Sequence, residues 1–178
     1  ELDDPDGGRF ILGYDVTDLG DGTWHYEYAL YNMNSDRSAQ AIAIPNGGNV
    51  AITDLGYHDV DWHSGAPYTN IPWSSAVNPA DVTWATQTYA ENEFANALRW
   101  GTTYNFRFVA DTPPTEGSVD VTLFKPGTGS AIAFNAMVPS AGVSPCPGDL
   151  TGDDLISPAD LSALLGAWGS SDQIGRAS

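Results

Sequence analysis

Between Phe10 and Val138 the apolar residues come back at every second position, in short runs bounded by Gly, Pro, Asn or Asp. Residues 23–31 show the alternation most cleanly. Trp24, Tyr26, Tyr28 and Leu30 fall on one side, and His25, Glu27 and Ala29 on the other. A period of two places successive side chains on opposite faces of a pleated strand, so this run reads as half-buried. Comparable runs occupy 10–16, 39–44, 50–55, 82–86, 104–109, 119–124 and 131–138, and Gly20-Asp21-Gly22 marks a turn. No helical period appears before residue 157. Short strands separated by turn signals predict a mostly β chain: an antiparallel β-sandwich, jelly-roll or Ig-like, over residues 9–138. A closed barrel is the alternative. Residues 56–79 are long for a connection inside such a domain and carry Tyr57, Trp62, Tyr68 and Trp73; connections of that length are usually functional or flexible.

The 178 residues include 6 Trp, 8 Tyr and 6 Phe, enough to fill a core in one domain with a small appendage. There are 23 Asp or Glu against 6 Lys or Arg, giving a net charge of −17. The few basic residues are scattered, so no stripe exists to neutralise phosphates, and nucleic acid is excluded as a partner. An anionic membrane surface is disfavoured for the same reason, and no run approaches the ~20 apolar residues of a membrane span. A surface this acidic calls for cations to screen it. The single Cys146 lies between Pro145 and Pro147 and excludes an internal disulfide framework. It reads equally as the donor of an intermolecular bond or as a free thiol. Residues 1–8 read as an acidic leader, 139–148 as a linker stiffened by proline, and 170–178 as a tail. Glu1-Leu2-Asp3-Asp4 has no signal-peptide character, so the chain is expected to be either cytosolic or the product of a cleavage.

The chemistry concentrates near the C-terminus. Counting from Asp149, side-chain oxygens fall at positions one (Asp149), three (Thr151), five (Asp153), nine (Ser157) and twelve (Asp160), and Leu155 at seven can offer its carbonyl. This is the ligand spacing of an EF-hand-type loop, in which a hard cation collects six to eight oxygens from a chain doubling back on itself. Thr151 stands where Asn or Asp is usual, and Asp154 where Gly makes the turn. A helix should follow. Ser157 suits its N-cap, Pro158 its first position and Asp160 its first turn. Leu161, Leu164, Leu165 and Trp168 make one apolar face, and Gly169 suits the C-terminal cap.

The segment GDLTGDDLISPADLSALLGAWG resembles one repeat of a dockerin type I module. The preceding part, through YDVTDLGDGTWHYEYALYNMNSDRS, GYHDVDWHSGAPY and NALRWGTTYNFRFVADTPP, resembles a β-sandwich domain of secreted planctomycete proteins. The resemblance implies an extracellular or cell-surface location, no known catalysis, and Ca2+ held in the loop by Asp149, Thr151, Asp153, Leu155, Ser157 and Asp160. Dockerins carry two repeats whose helices pack together, and this chain has one. A helix of about ten residues does not persist alone in water. Its leucines and Trp168 therefore call for a partner: the sandwich, a neighbouring copy or another protein.

Other groups compete for a role. His58, Asp59, Asp61 and His63 form a second candidate metal set, with a self-capping polar loop as the alternative. Trp62, Tyr68 and Trp73 read either as a platform for sugar rings or as the cover of the sandwich end, and an exposed set would suit a protein contact. Glu91 and Glu93 are the one carboxylate pair resembling a glycosidase's, and no nucleophile elbow, zinc-protease or phosphate-binding motif occurs. The expectation is a secreted, calcium-binding, non-catalytic structural module that assembles with itself as a filament or surface layer, or docks onto other extracellular proteins. The alternative is a carbohydrate-binding or dockerin-like module of a polysaccharide-processing system.

Overall fold

The structure, a computed structural model, describes residues 1–48, 50–62, 65–141 and 157–168, the last stretch with side chains through residue 165. In chain order the elements are β1 (Leu2–Asp3), β2 (Arg9–Asp18), β3 (Trp24–Asn32), β4 (Ala39–Pro45), β5 (Ile52–His58), β6 (Ser74–Val77), β7 (Asp81–Ala85), β8 (Thr102–Ala110), β9 (Pro114–Leu123), β10 (Ala131–Pro139) and α1 (Pro158–Trp168). The chain divides into two compact units, residues 1–142 and 143–178. No helix among the described residues is long and apolar enough to cross a membrane.

All strand pairs are antiparallel, in two five-stranded sheets ordered β1-β2-β3-β8-β5 and β10-β9-β4-β7-β6. This is a β-sandwich. No ladder among the described residues joins the sheets into the alternative closed barrel. The expected alternation in β3 holds: Tyr26, Tyr28 and Leu30 are fully buried, and Glu27 faces out. From β8, Tyr104, Phe106 and Phe108 fill the same layer, facing Ile42, Val82, Trp84, Val121 and Phe134 of the other sheet. Trp84 meets Phe106 at 5.5 Å between ring centroids, a separation typical of aromatic pairs. The Tyr28 hydroxyl ties the layers together by donating to the Met137 carbonyl at 2.7 Å.

Several boundaries differ from those expected, each for a physical reason. The acidic opening, read as a leader, lies against the sandwich: β1 pairs with β2, and Asp4 is buried. Gly8 permits this close approach, since at φ 97° a Cβ there would run into the Ser35 backbone. The 56–79 stretch also shrinks as a connection, because β5 runs to His58 and β6 forms within it. Within β5 the ladder slips between Thr53 and Gly56, with Asp54 at φ 51°. This bulge changes the phase, so Ile52 and Tyr57 both reach the core while Leu55 stays exposed.

Candidate functional site

Of the expected calcium ligands, Asp149, Thr151, Asp153 and Leu155 lie outside the described residues, as does Cys146. Ser157 and Asp160 are described and form a capping box. Ser157 Oγ accepts from the Ala159 amide at 3.1 Å, and Asp160 Oδ2 accepts from the Ser157 amide at 2.7 Å. Two N-terminal donors of α1 are thereby satisfied. Leu161, Leu164 and Leu165 are all exposed.

In the second candidate metal set, His63 lies outside the described residues. His58 and Asp61 are exposed, and Asp59 faces inward to accept from Asn96 Nδ2 at 2.5 Å. Among the described residues no group of three or more His, Cys, Asp or Glu is placed to hold a metal. Glu91 Oε2 accepts from both the amide and the hydroxyl of Thr88 at 2.8 Å. These bonds hold its carboxyl below the ordinary range, the opposite of what a general acid needs.

The aromatic residues of the 59–73 connection separate into two kinds. Trp73 is a core residue, stacked on Tyr57 at 6.0 Å and donating Nε1 to the Asn96 carbonyl at 2.5 Å. Trp62 and Tyr68 remain half-buried, edge to face at 5.0 Å. Trp62 is fixed at its backbone by Asn70, which exchanges hydrogen bonds with it at 2.7 and 3.2 Å.

Sequence reasoning did not single out Asn96 and Arg99, which organise this end of the sandwich, or the exposed Trp100 beside them. Asn96 is buried, and all its side-chain hydrogen-bonding capacity is used. Its Oδ1 accepts from the Tyr104 hydroxyl at 2.7 Å and from Trp62 Nε1 at 3.1 Å, and its Nδ2 donates to Asp59 and to the Ile71 carbonyl. A buried polar group satisfied this fully fixes the connection to the sheet. Asn96→Ala leaves the Tyr104 hydroxyl without its acceptor. The expected loss is about 2–3 kcal/mol in urea unfolding, with a red shift in tryptophan emission as Trp62 is released.

Arg99 follows three residues later and is 8% exposed. Its guanidinium lies 3.6 Å from the centroid of the Tyr68 ring and 5.3 Å from that of Phe124. Nη2 donates to the carbonyls of Glu93 and Ala95, whereas the buried Nε has no partner among the described residues. Burial pulls its pKa below the ordinary value, yet an arginine stays charged. Next to it, Trp100 is 66% exposed. The only hint in the sequence was an arginine set directly before a tryptophan in a polar connection. Which of the two would be buried is decided by the fold. The chain matches no protein-family model and no curated protein.

Proposed function

We propose that this chain is a secreted, calcium-binding, non-catalytic structural module that joins copies of itself or docks onto other surface proteins. In this reading a jelly-roll or Ig-like sandwich carries a calcium loop and helix as its connecting element. Asp149, Thr151, Asp153, Ser157 and Asp160 would supply side-chain oxygens, and Leu155 its carbonyl. All are hard donors suited to Ca2+, which would supply folding free energy to the loop and, through it, to the helix. The observation that carries the proposal is the exposure of Leu161, Leu164 and Leu165 on a helix whose start is fully capped. Burying each leucine against a partner is worth roughly 1.5–3 kcal/mol, and head-to-tail contacts between copies would propagate. The dense negative charge then favours assembly only where cations screen it.

Sedimentation at high protein concentration tests this. With millimolar calcium the chain is expected to run as species larger than a monomer, or to acquire them with an added surface-protein fraction, and to return to monomer under chelator. Leu161→Glu with Leu165→Glu should remain monomeric in calcium while the sandwich melts unchanged. A wild-type chain that stays monomeric in calcium and captures nothing ends the proposal.

A further inference from the structure

We propose that the recess bounded by Arg99, Tyr68 and Trp100 binds the carboxylate of an acidic sugar, a hexuronate residue within an anionic polysaccharide. The starting point is an imbalance of charge. Of the basic residues in the sandwich, Arg9 pairs with Glu1 and Asp3, Arg37 with Asp4 and Asp6, and Lys125 with Asp36. Arg107 is exposed to water. Arg99 is the one buried cation with no carboxylate within ion-pair distance among the described residues, in a chain with 23 acids to choose from. Carbonyls and two aromatic rings offset part of the cost of burying it. Its Nη2 is committed to the two carbonyls, and its Nη1 makes no hydrogen bond among the described residues, which leaves the two N–H groups of Nη1 for a charge-assisted contact with a carboxylate.

The surroundings narrow the ligand. Arg99, Trp100, Tyr68, Lys125 and Asp36 line a recess of about 150 Å³. Asp36 is held by Lys125 at 2.8 Å, so the lining carries two cations and one anion, a local positive island on an acidic molecule. Charges farther than about 8 Å are screened at physiological salt, which leaves this local sign in control. The volume lies well below the ~300–1,000 Å³ of sites that engulf a drug-sized molecule, so the recess takes one group of a longer ligand. At its rim Trp100 presents an exposed indole, the surface on which the C–H face of a sugar ring stacks. An acidic peptide side chain would satisfy the guanidinium and leave the indole uncovered. A uronate ring carries its carboxylate and its stacking face on the same six-membered frame. This inference is independent of assembly through the helix.

Isothermal titration of the full chain with a uronic-acid trisaccharide, its methyl ester, the corresponding neutral trisaccharide and a triglutamate peptide tests the assignment. The uronate is expected to bind saturably and at least about tenfold more tightly than the other three, the loss that follows from removing one charge-assisted pair or one stacking contact. Trp100→Ala, a surface change, should weaken the uronate about tenfold. Arg99→Lys should do the same while melting within a few degrees of wild type. If Arg99→Lys does not fold, Trp100→Ala and the ester decide alone. Absence of saturable binding, equal binding of ester or neutral sugar, equal binding of triglutamate, or full affinity in Trp100→Ala would each overturn the proposal.

Discussion

Replacing Arg37 by Met is expected to cost the sandwich about 3–5 kcal/mol, because it strands a buried carboxylate. Arg37 and Asp4 are 7% and 3% exposed. Arg37 Nη1 donates to Asp4 Oδ1 at 3.2 Å and to the Thr128 carbonyl at 2.8 Å, Nη2 to the Gly129 carbonyl at 2.7 Å, and Nε to the Lys125 carbonyl at 3.1 Å. Asp4 in turn accepts from the Ser35 hydroxyl at 2.6 Å and the Asp6 amide at 3.0 Å. One guanidinium thus pins the first residues and the β9–β10 turn to the start of β4. Removing it leaves Asp4 charged, desolvated and short of its counter-ion. The three carbonyls also lose their donor. For a domain of this size the melting temperature should fall by roughly 10–20 °C. Arg9→Met is the contrast: its pairs with Glu1 and Asp3 are exposed, and such pairs contribute at most about 1 kcal/mol. Asp4→Leu combined with Arg37→Met should recover part of the loss, since no charge is then buried alone. An Arg37→Met chain that unfolds within about 1 kcal/mol of wild type would show that the pair holds nothing.

That clamp was illegible in the sequence, and the reason is general. Alternation reports which face of a strand is buried. It therefore exposed β3, where Tyr26, Tyr28 and Leu30 do sink into the core. It says nothing about a two-residue edge strand such as Leu2–Asp3, whose place is set by a distant arginine. Ser74–Val77 is exposed at every position, so no apolar period could betray β6. At β5 the bulge shifts the phase, so Tyr57 turns to the core although a regular strand would put it on the same outer face as Leu55. The candidate site follows the same logic. Trp62 and Trp73 occur eleven positions apart in one connection and look equivalent as sequence. Asn96 separates them in the fold, taking the Trp62 indole on its side chain and the Trp73 indole on its backbone. Arg99 is harder still, because arginine is seldom buried. By contrast, the capping box of α1 was legible from Ser157 and Asp160, because it depends only on residues three apart.

The second large effect concerns alkali. Tyr26, Tyr28 and Tyr104 are completely buried. Loss of hydration pushes the Tyr26 phenol up to about 12. Desolvation likewise raises Tyr28, with the neighbouring Tyr26 and Tyr14 adding to it, and raises Tyr104, where the Asp59 charge adds to it. In the unfolded chain the same phenols lose their protons near pH ~10. Below that pH folded and unfolded states bind the same number of phenol protons, and the contribution to stability is fully present. Above it the unfolded state binds fewer, so stability falls as pH rises toward the folded values. Each group adds a slope of about 1.4 kcal/mol per pH unit, and the three together about 4. Against a typical total of 5–15 kcal/mol, the sandwich is expected to unfold cooperatively by about pH 12. Phenolate absorbance near 295 nm from these rings should rise together with the loss of near-ultraviolet circular dichroism. Tyr28→Phe forfeits the hydrogen bond to the Met137 carbonyl, about 1 kcal/mol at neutral pH. It should also reduce the alkaline slope by about 1.4 kcal/mol per pH unit. Full phenolate absorbance developing near pH ~10 with the dichroism intact would mean that water reaches these rings, and the packing described for the core would have to be abandoned.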